Sequence, residues 1–205
     1  MVSFSDKYFL GGAFPSNVDD RDYKVSQLIS CAIQLPSEYK TNTPRLVWDQ
    51  GQSSECVASS LSLVRYLQEY NQSSNRKPFS PSYIYANRED GMYKGEGMYP
   101  REALKILQTY GVSFYDDFPG FYIYEDAVKK YFEVKKDLDA KARPFRISSY
   151  YAVSSDIEIK SSILQLQAVS AMFPVYDTLY SPDANGKILF TSSMLNERIS
   201  GYHQM

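Results

Sequence analysis

Two residues of this chain have the types and the order that attack on a carbonyl carbon requires. Cys56 stands where a polar loop, DQGQSSE, runs into the amphipathic stretch CVASSLSLVRYLQEY. A cysteine is a useful nucleophile only as thiolate, and a helix N-terminus favours the thiolate through its partial positive charge and unpaired N–H groups. A neighbouring imidazolium favours it further, and the chain has a single histidine, His203, in the closing SGYHQM. Each residue also has a plain reading. A cysteine on a helix packs well as a small apolar residue, and one histidine near a terminus is often incidental.

The elements that would position these residues can be read from periodicity and punctuation. Val57, Leu61, Val64 and Leu67 recur at helical spacing after Cys56, with Ser53, Ser54 and Glu55 as cap-type residues, and predict a buried central helix. FSPSYIYANRED (79–90) and PREALKILQTYG (100–111) each open on a proline suited to a first helical turn. A further helix is expected over 125–141, with Ala127, Val128, Tyr131, Phe132 and Leu138 facing inward. After Pro144 the texture changes. FRISSYYAV, AVSAMFPVY and KILFTS read as strands, SSDIEIKSSILQLQ as a helix capped by Ser155, and DANG (183–186) as a turn between strands. Residues 1–44, with GG at 11–12, DDRDY at 19–23 and three prolines, read as an extended wrapping arm. The division expected is an arm (1–44), a helical lobe carrying the cysteine (45–143) and a β-rich lobe carrying the histidine (144–205).

Composition sets wide bounds. With 205 residues, 43% of them hydrophobic and a net charge of -2, the chain suits a globular protein and offers no basic footprint for nucleic acid. Neither a secretory leader nor a membrane-length apolar run is visible, so a cytoplasmic or other reducing compartment and no membrane partner are expected. Two cysteines, Cys31 and Cys56, make neither a disulfide framework nor a metal-ligand pattern. Cys31 reads as buried filler, and Asp116 and Asp117 as solvated loop charges.

Taken as a whole, QGQSSECVASS resembles the nucleophile motif of the papain-like cysteine peptidases, with Gln50, Gly51 and Cys56 at the family's spacing and Ala58 and Ser60 also fitting. FSPSYIYANRED is similar to the helix after the central one, GEGMYPREALKILQTYGV to the glycine-rich substrate-groove loop and its helix, and SGYHQM to the segment bearing the histidine. DDRDY resembles a short motif found ahead of the mature domain in compact members. The resemblance implies an α+β fold of two lobes, a helical N-terminal lobe and an incomplete β-rich C-terminal lobe, with the active-site cleft between them. It implies a cysteine-type endopeptidase acting on peptides or proteins, with Cys56 as nucleophile, His203 as its imidazolium partner, and Gln50 with the Cys56 N–H as the oxyanion hole. Gly97, Met98, Tyr99, Met172, Gly201 and Gln204 fall at substrate-pocket positions. No metal or organic cofactor is required.

Departures from the family pattern carry their own expectations. Ser53 replaces a disulfide cysteine, Val57 a tryptophan, and Met98 one glycine of the groove pair. The family continues past the histidine with a strand and an Asn-Ser-Trp-Gly segment whose asparagine orients the imidazole. Here the sequence stops at Met205, so a further C-terminal segment or a second chain is expected to complete the lobe. Two alternatives stand beside the peptidase: a papain-like scaffold that binds without turnover, and another Cys-His hydrolase such as a cell-wall amidase or a transglutaminase-like enzyme.

Overall fold

The computed structural model describes residues 11–28, 34–42, 46–73, 75–89 and 95–205. Cys31 lies outside them. Among the described residues five α-helices precede, or stand beside, one small antiparallel sheet: α1 (Cys56–Gln72), α2 (Pro81–Ala86), α3 (Pro100–Thr109), α4 (Tyr124–Ala142), α5 (Asp156–Leu166), β1 (Met172–Tyr176) and β2 (Ile199–Gln204).

α1 is buried well beyond one stripe. Val57, Ala58, Leu61, Tyr66 and Leu67 are core residues, and Ser59, Ser60 and Ser62 are buried with them. Small side chains let neighbouring elements close on the first half of this helix from several sides. α2 is buried throughout; Pro81 fills its first position and the Ser80 hydroxyl accepts the Tyr83 N–H. α3 opens on Pro100 and stops before Gly111, whose φ of +84° and close approach to the Ala142 carbonyl admit only glycine without strain. On α4, Ala127, Tyr131, Leu138 and Ala142 form the inner stripe, whereas Phe132 is 65% exposed. It follows Tyr131 by one residue, about 100° further round the helix, and α4 buries a single stripe that Tyr131 occupies. α5 has the expected cap, Ser155 accepting the Glu158 N–H.

The second half is less β-rich than its texture predicts. Only β1 and β2 form a ladder, pairing Met172 with Gln204, Phe173 with His203, Pro174 with Tyr202 and Val175 with Gly201 before a bulge at Tyr176. FRISSYYAV contributes one isolated bridge, Ala152 to Lys24, and otherwise runs along α3, where the Ile147 N–H bonds to the Leu107 carbonyl. KILFTS forms no strand; Ile188, Leu189 and Phe190 are exposed at 43%, 73% and 68%. Alternation supplies a strand's side-chain pattern, but a ladder also needs a partner; among the described residues KILFTS has none and FRISSYYAV has only the single bridge to Lys24. The DANG stretch is a turn, closed by the Gly186 N–H on the Asp183 carbonyl. No helix among the described residues is long and apolar enough to cross a membrane.

Candidate functional site

Cys56 opens α1 and is 1% exposed. Its neighbours explain the burial. β2 packs against α1, and the Gln204 side chain, itself buried, donates to Ser170 Oγ at 2.7 Å, which in turn meets Ser60 Oγ of α1 at 2.5 Å. What Gln204 brings to the site is therefore its backbone N–H, directed at the Cys56 sulfur. A second N–H comes from an unexpected direction, from Gly12 of the N-terminal arm.

The arm crosses the cleft. The Met98 N–H donates to the Gly12 carbonyl at 2.9 Å, the Phe14 N–H to the Met98 carbonyl at 3.0 Å, and the Ala13 N–H to the Tyr202 carbonyl at 3.0 Å. The segment Gly11–Phe14 thus pairs with the groove loop on one side and the histidine strand on the other. Glycines make the approach close enough. A Cβ on Gly12 would stand 2.3 Å from the Ser54 carbonyl oxygen, and one on Gly97 would stand 2.7 Å from the Phe14 ring. Phe14 also packs on Tyr99, with ring centroids 5.3 Å apart. On the far side, a Cβ on Gly201 would stand 3.2 Å from the Gly11 Cα. Of the expected pocket residues, Gly97, Met98, Tyr99 and Gly201 lie along the arm. Met172 sits behind them on β1, packed against the core.

Electrostatically the covered site is quiet. Burial pushes the Cys56 thiol above its ordinary value, although the N–H groups of Gln204, Gly12, Val57 and Cys56 itself pull the other way. Burial also holds the His203 imidazole below its ordinary value. Both shifts oppose charge and favour the thiol and the neutral imidazole. Among the described residues, the buried His203 Nδ1 has no hydrogen-bond partner. Gln50 directs one proton of its side-chain amide to the Ser53 carbonyl at 2.9 Å, which leaves the second proton of the same nitrogen unassigned. No group of three or more potential metal ligands occurs among the described residues, and Cys56 is a free thiol.

Further along, the arm is fastened to α3. Arg101 forms a two-pronged ion pair with Asp22, its NH2 group 2.6 Å from Oδ2, and donates to the Asn17 carbonyl at 3.0 Å. Asp19 stands beside them, its carboxyl held well below the usual range by Arg21. A recess of about 720 Å³ lies between arm residues 15–19 and α3, with Tyr99, Arg101 and Glu102 in its wall; it includes none of Cys56, His203 or Gln50. The reach of the arm into the cleft is the feature that residue patterns do not announce. Its one sequence signal is the small-residue run GGA, which permits a close backbone approach.

The fold is that of the papain-like cysteine peptidases. Xylellain, a cysteine protease from Xylella fastidiosa, superposes with a TM-score of 0.74 at 22% identity, over 97% of this chain and 79% of that one. A procathepsin B from Trypanosoma congolense gives 0.61 at 16% identity, over 95% and 68%. A digestive procathepsin L 3 from the midgut of Tenebrio molitor larvae gives 0.54 at 14% identity, over 74% and 48%. No protein-family model and no curated protein sequence matches the chain.

Proposed function

We propose that this protein is a cysteine-type endopeptidase whose cleft is closed by its own N-terminal arm. The observation that carries the reading is the arm itself. An extended polypeptide lies beside Cys56, held through both the N–H and the carbonyl of Met98, so the groove takes peptide backbone. Cell-wall fragments or a flat protein surface would not call for such a ladder.

In the uncovered cleft, water restores the charged forms that burial disfavours, and the Cys56 proton passes to His203. The thiolate attacks a peptide carbonyl carbon. The Cys56 N–H and the second proton of the Gln50 amide receive the charge on oxygen. His203 then protonates the departing amine, and water hydrolyses the thioester, returning the thiol. Substrates are peptides or unstructured protein segments.

The test is release of peptides from fluorescein-labelled casein by the full chain and by Cys56→Ala. The expected result is turnover by the first and none by the second, with equal thermal midpoints. Equal turnover by both would end the assignment. Stoichiometric binding of casein by both, without product, would make the protein a binding scaffold.

A further inference from the structure

Glu55, the residue before the nucleophile, is fully buried, at 0% exposure. It makes no ion pair among the described residues, and its carboxyl is hydrogen-bonded to α2 and to the segment before α4. Ser82 Oγ of α2 lies 2.8 Å from Oε1 and 2.9 Å from Oε2, and the Tyr122 N–H donates to Oε1 at 2.9 Å. Ser82 Oγ also lies 2.9 Å from the Gly120 carbonyl oxygen. Ser53 completes the cluster, accepting the Glu55 N–H at 3.3 Å and donating to the Tyr122 carbonyl at 2.9 Å.

A count of protons favours the neutral form. Ser82 has one hydroxyl proton and faces both the carboxyl and a carbonyl. If Glu55 were ionised, whichever oxygen Ser82 did not serve would be pressed, lone pair to lone pair, against its hydroxyl. If Glu55 is neutral, two protons serve the three oxygens around Ser82 Oγ, the Oε2 proton on Ser82 Oγ and the Ser82 proton on the Gly120 carbonyl, with the Tyr122 N–H on Oε1; only the approach of Oε1 to Ser82 Oγ carries none.

We propose that Glu55 is a protonated positioning residue, whose O–H to Ser82 fixes the start of α1 and keeps negative charge away from the neighbouring Cys56 sulfur. Desolvation pushes its pKa up to about 8 against the opposing hydrogen bonds of Tyr122, Ser82 and Ser53, and Glu96 adds a like charge. Glu96 is the carboxylate facing this cluster from the loop before α3, where it receives the Tyr85 O–H and the Tyr124 N–H. Lys130 of α4 reaches only the far side, over the Tyr122 ring at 5.0 Å. The helix N-terminus would stabilise an ionised Glu55 as readily as a thiolate. Neutrality reserves that end of the helix for sulfur.

The catalytic consequence rests on the peptidase reading; the protonation does not. Infrared spectra of the full chain at pH 7 should show a protonated-carboxyl stretch that Glu55→Gln removes. Its absence from the parent protein would overturn the proposal whatever the protein hydrolyses. The second readout is the pH midpoint of Cys56 alkylation by iodoacetamide. Glu55→Ala removes the O–H that fixes the start of α1, so the helix-end N–H groups are held less firmly on the sulfur and the midpoint should rise by about one pH unit, a tenfold slower labelling at pH 7. Glu55→Gln, whose amide donates in place of the acid, should hold the parent midpoint. An alanine variant that labels like the parent, or a glutamine variant that shifts as far as the alanine one, would refute the role. Should Glu55→Ala fail to fold, Ser82→Ala removes the acceptor, and the carboxyl band should move to higher frequency; an unmoved band would refute the role. Expected bands and midpoints without casein cleavage would sink the peptidase reading alone.

Discussion

If the arm closes the cleft, weakening its fastening should open the site by a calculable factor. Asp22→Asn keeps the shape of the Arg101 contact and removes its charge. The two side chains are 25% and 22% exposed, so the pair lies between a surface ion pair, worth about 0.2–1 kcal/mol, and a charge-assisted bond of about 1.5–3 kcal/mol. About 1 kcal/mol is the fitting figure once water screening is allowed for. The arm is held in addition by the backbone bonds at Met98 and Tyr202, which the substitution leaves in place. The uncovered fraction should therefore rise about fivefold, with the fold intact. Alkylation of Cys56 reads that fraction directly when opening and closing outpace labelling. At pH 8, Asp22→Asn should label about five times faster than the parent protein. About 1 M salt should accelerate the parent more than the variant, in which Asp19 alone still faces Arg101 from the arm among the described residues. Equal labelling of the two proteins at low salt would refute the latch, and with it the view that α3 governs access to the thiol.

Other outcomes follow from the same coordinates. Gly97→Ala meets both a φ of +103° and the Phe14 ring, so it should destabilise the protein by about 1–3 kcal/mol and also speed Cys56 labelling, since the ring it strikes belongs to the arm. Gly111→Ala, at φ +84° and 2.2 Å from the Ala142 carbonyl, should lower the thermal midpoint at least as far without changing labelling below the transition. Glu55 gives stability a definite pH sign. Its folded pKa of about 8 lies above the ordinary value of 4.5, so its contribution is complete below about pH 4.5 and is lost as pH rises towards 8. The slope is up to about 1.4 kcal/mol per unit, and denaturant titrations should find it flattened in Glu55→Gln.

The helices are legible because local chemistry marks their ends: Ser80-Pro81, Pro100, Gly111 and Ser155 act within a turn of where they stand. The place of Cys56 at the first position of α1 is legible because its loop and the helix after it occupy one continuous stretch. The strands of the second half are harder to read, since KILFTS and FRISSYYAV have the alternation but not the partner. Phe132 shows a finer failure, as the hydrophobicity of a residue does not say which side of a helix it takes beside a competing Tyr131. The covering of Cys56 by Gly12 is a contact between residues 44 positions apart, settled by backbone hydrogen bonds that no side chain encodes. Glu55 reads as a helix-start acid in the sequence; only three-dimensional packing reveals that it is buried against Ser82 and Tyr122.

Because the Ala13 N–H is bonded to the histidine strand while Gly12 and Phe14 are bonded to the groove loop, the arm is a seam as well as a lid. It joins the edge of the two-stranded sheet to the helical side. Once it departs, the same event that frees the thiol unpicks the stitches between the two sides of the cleft. Access to Cys56 and the cohesion of the fold are thereby tied to one stretch of backbone, so a change that loosens the arm should be read in thiol exposure and thermal midpoint together.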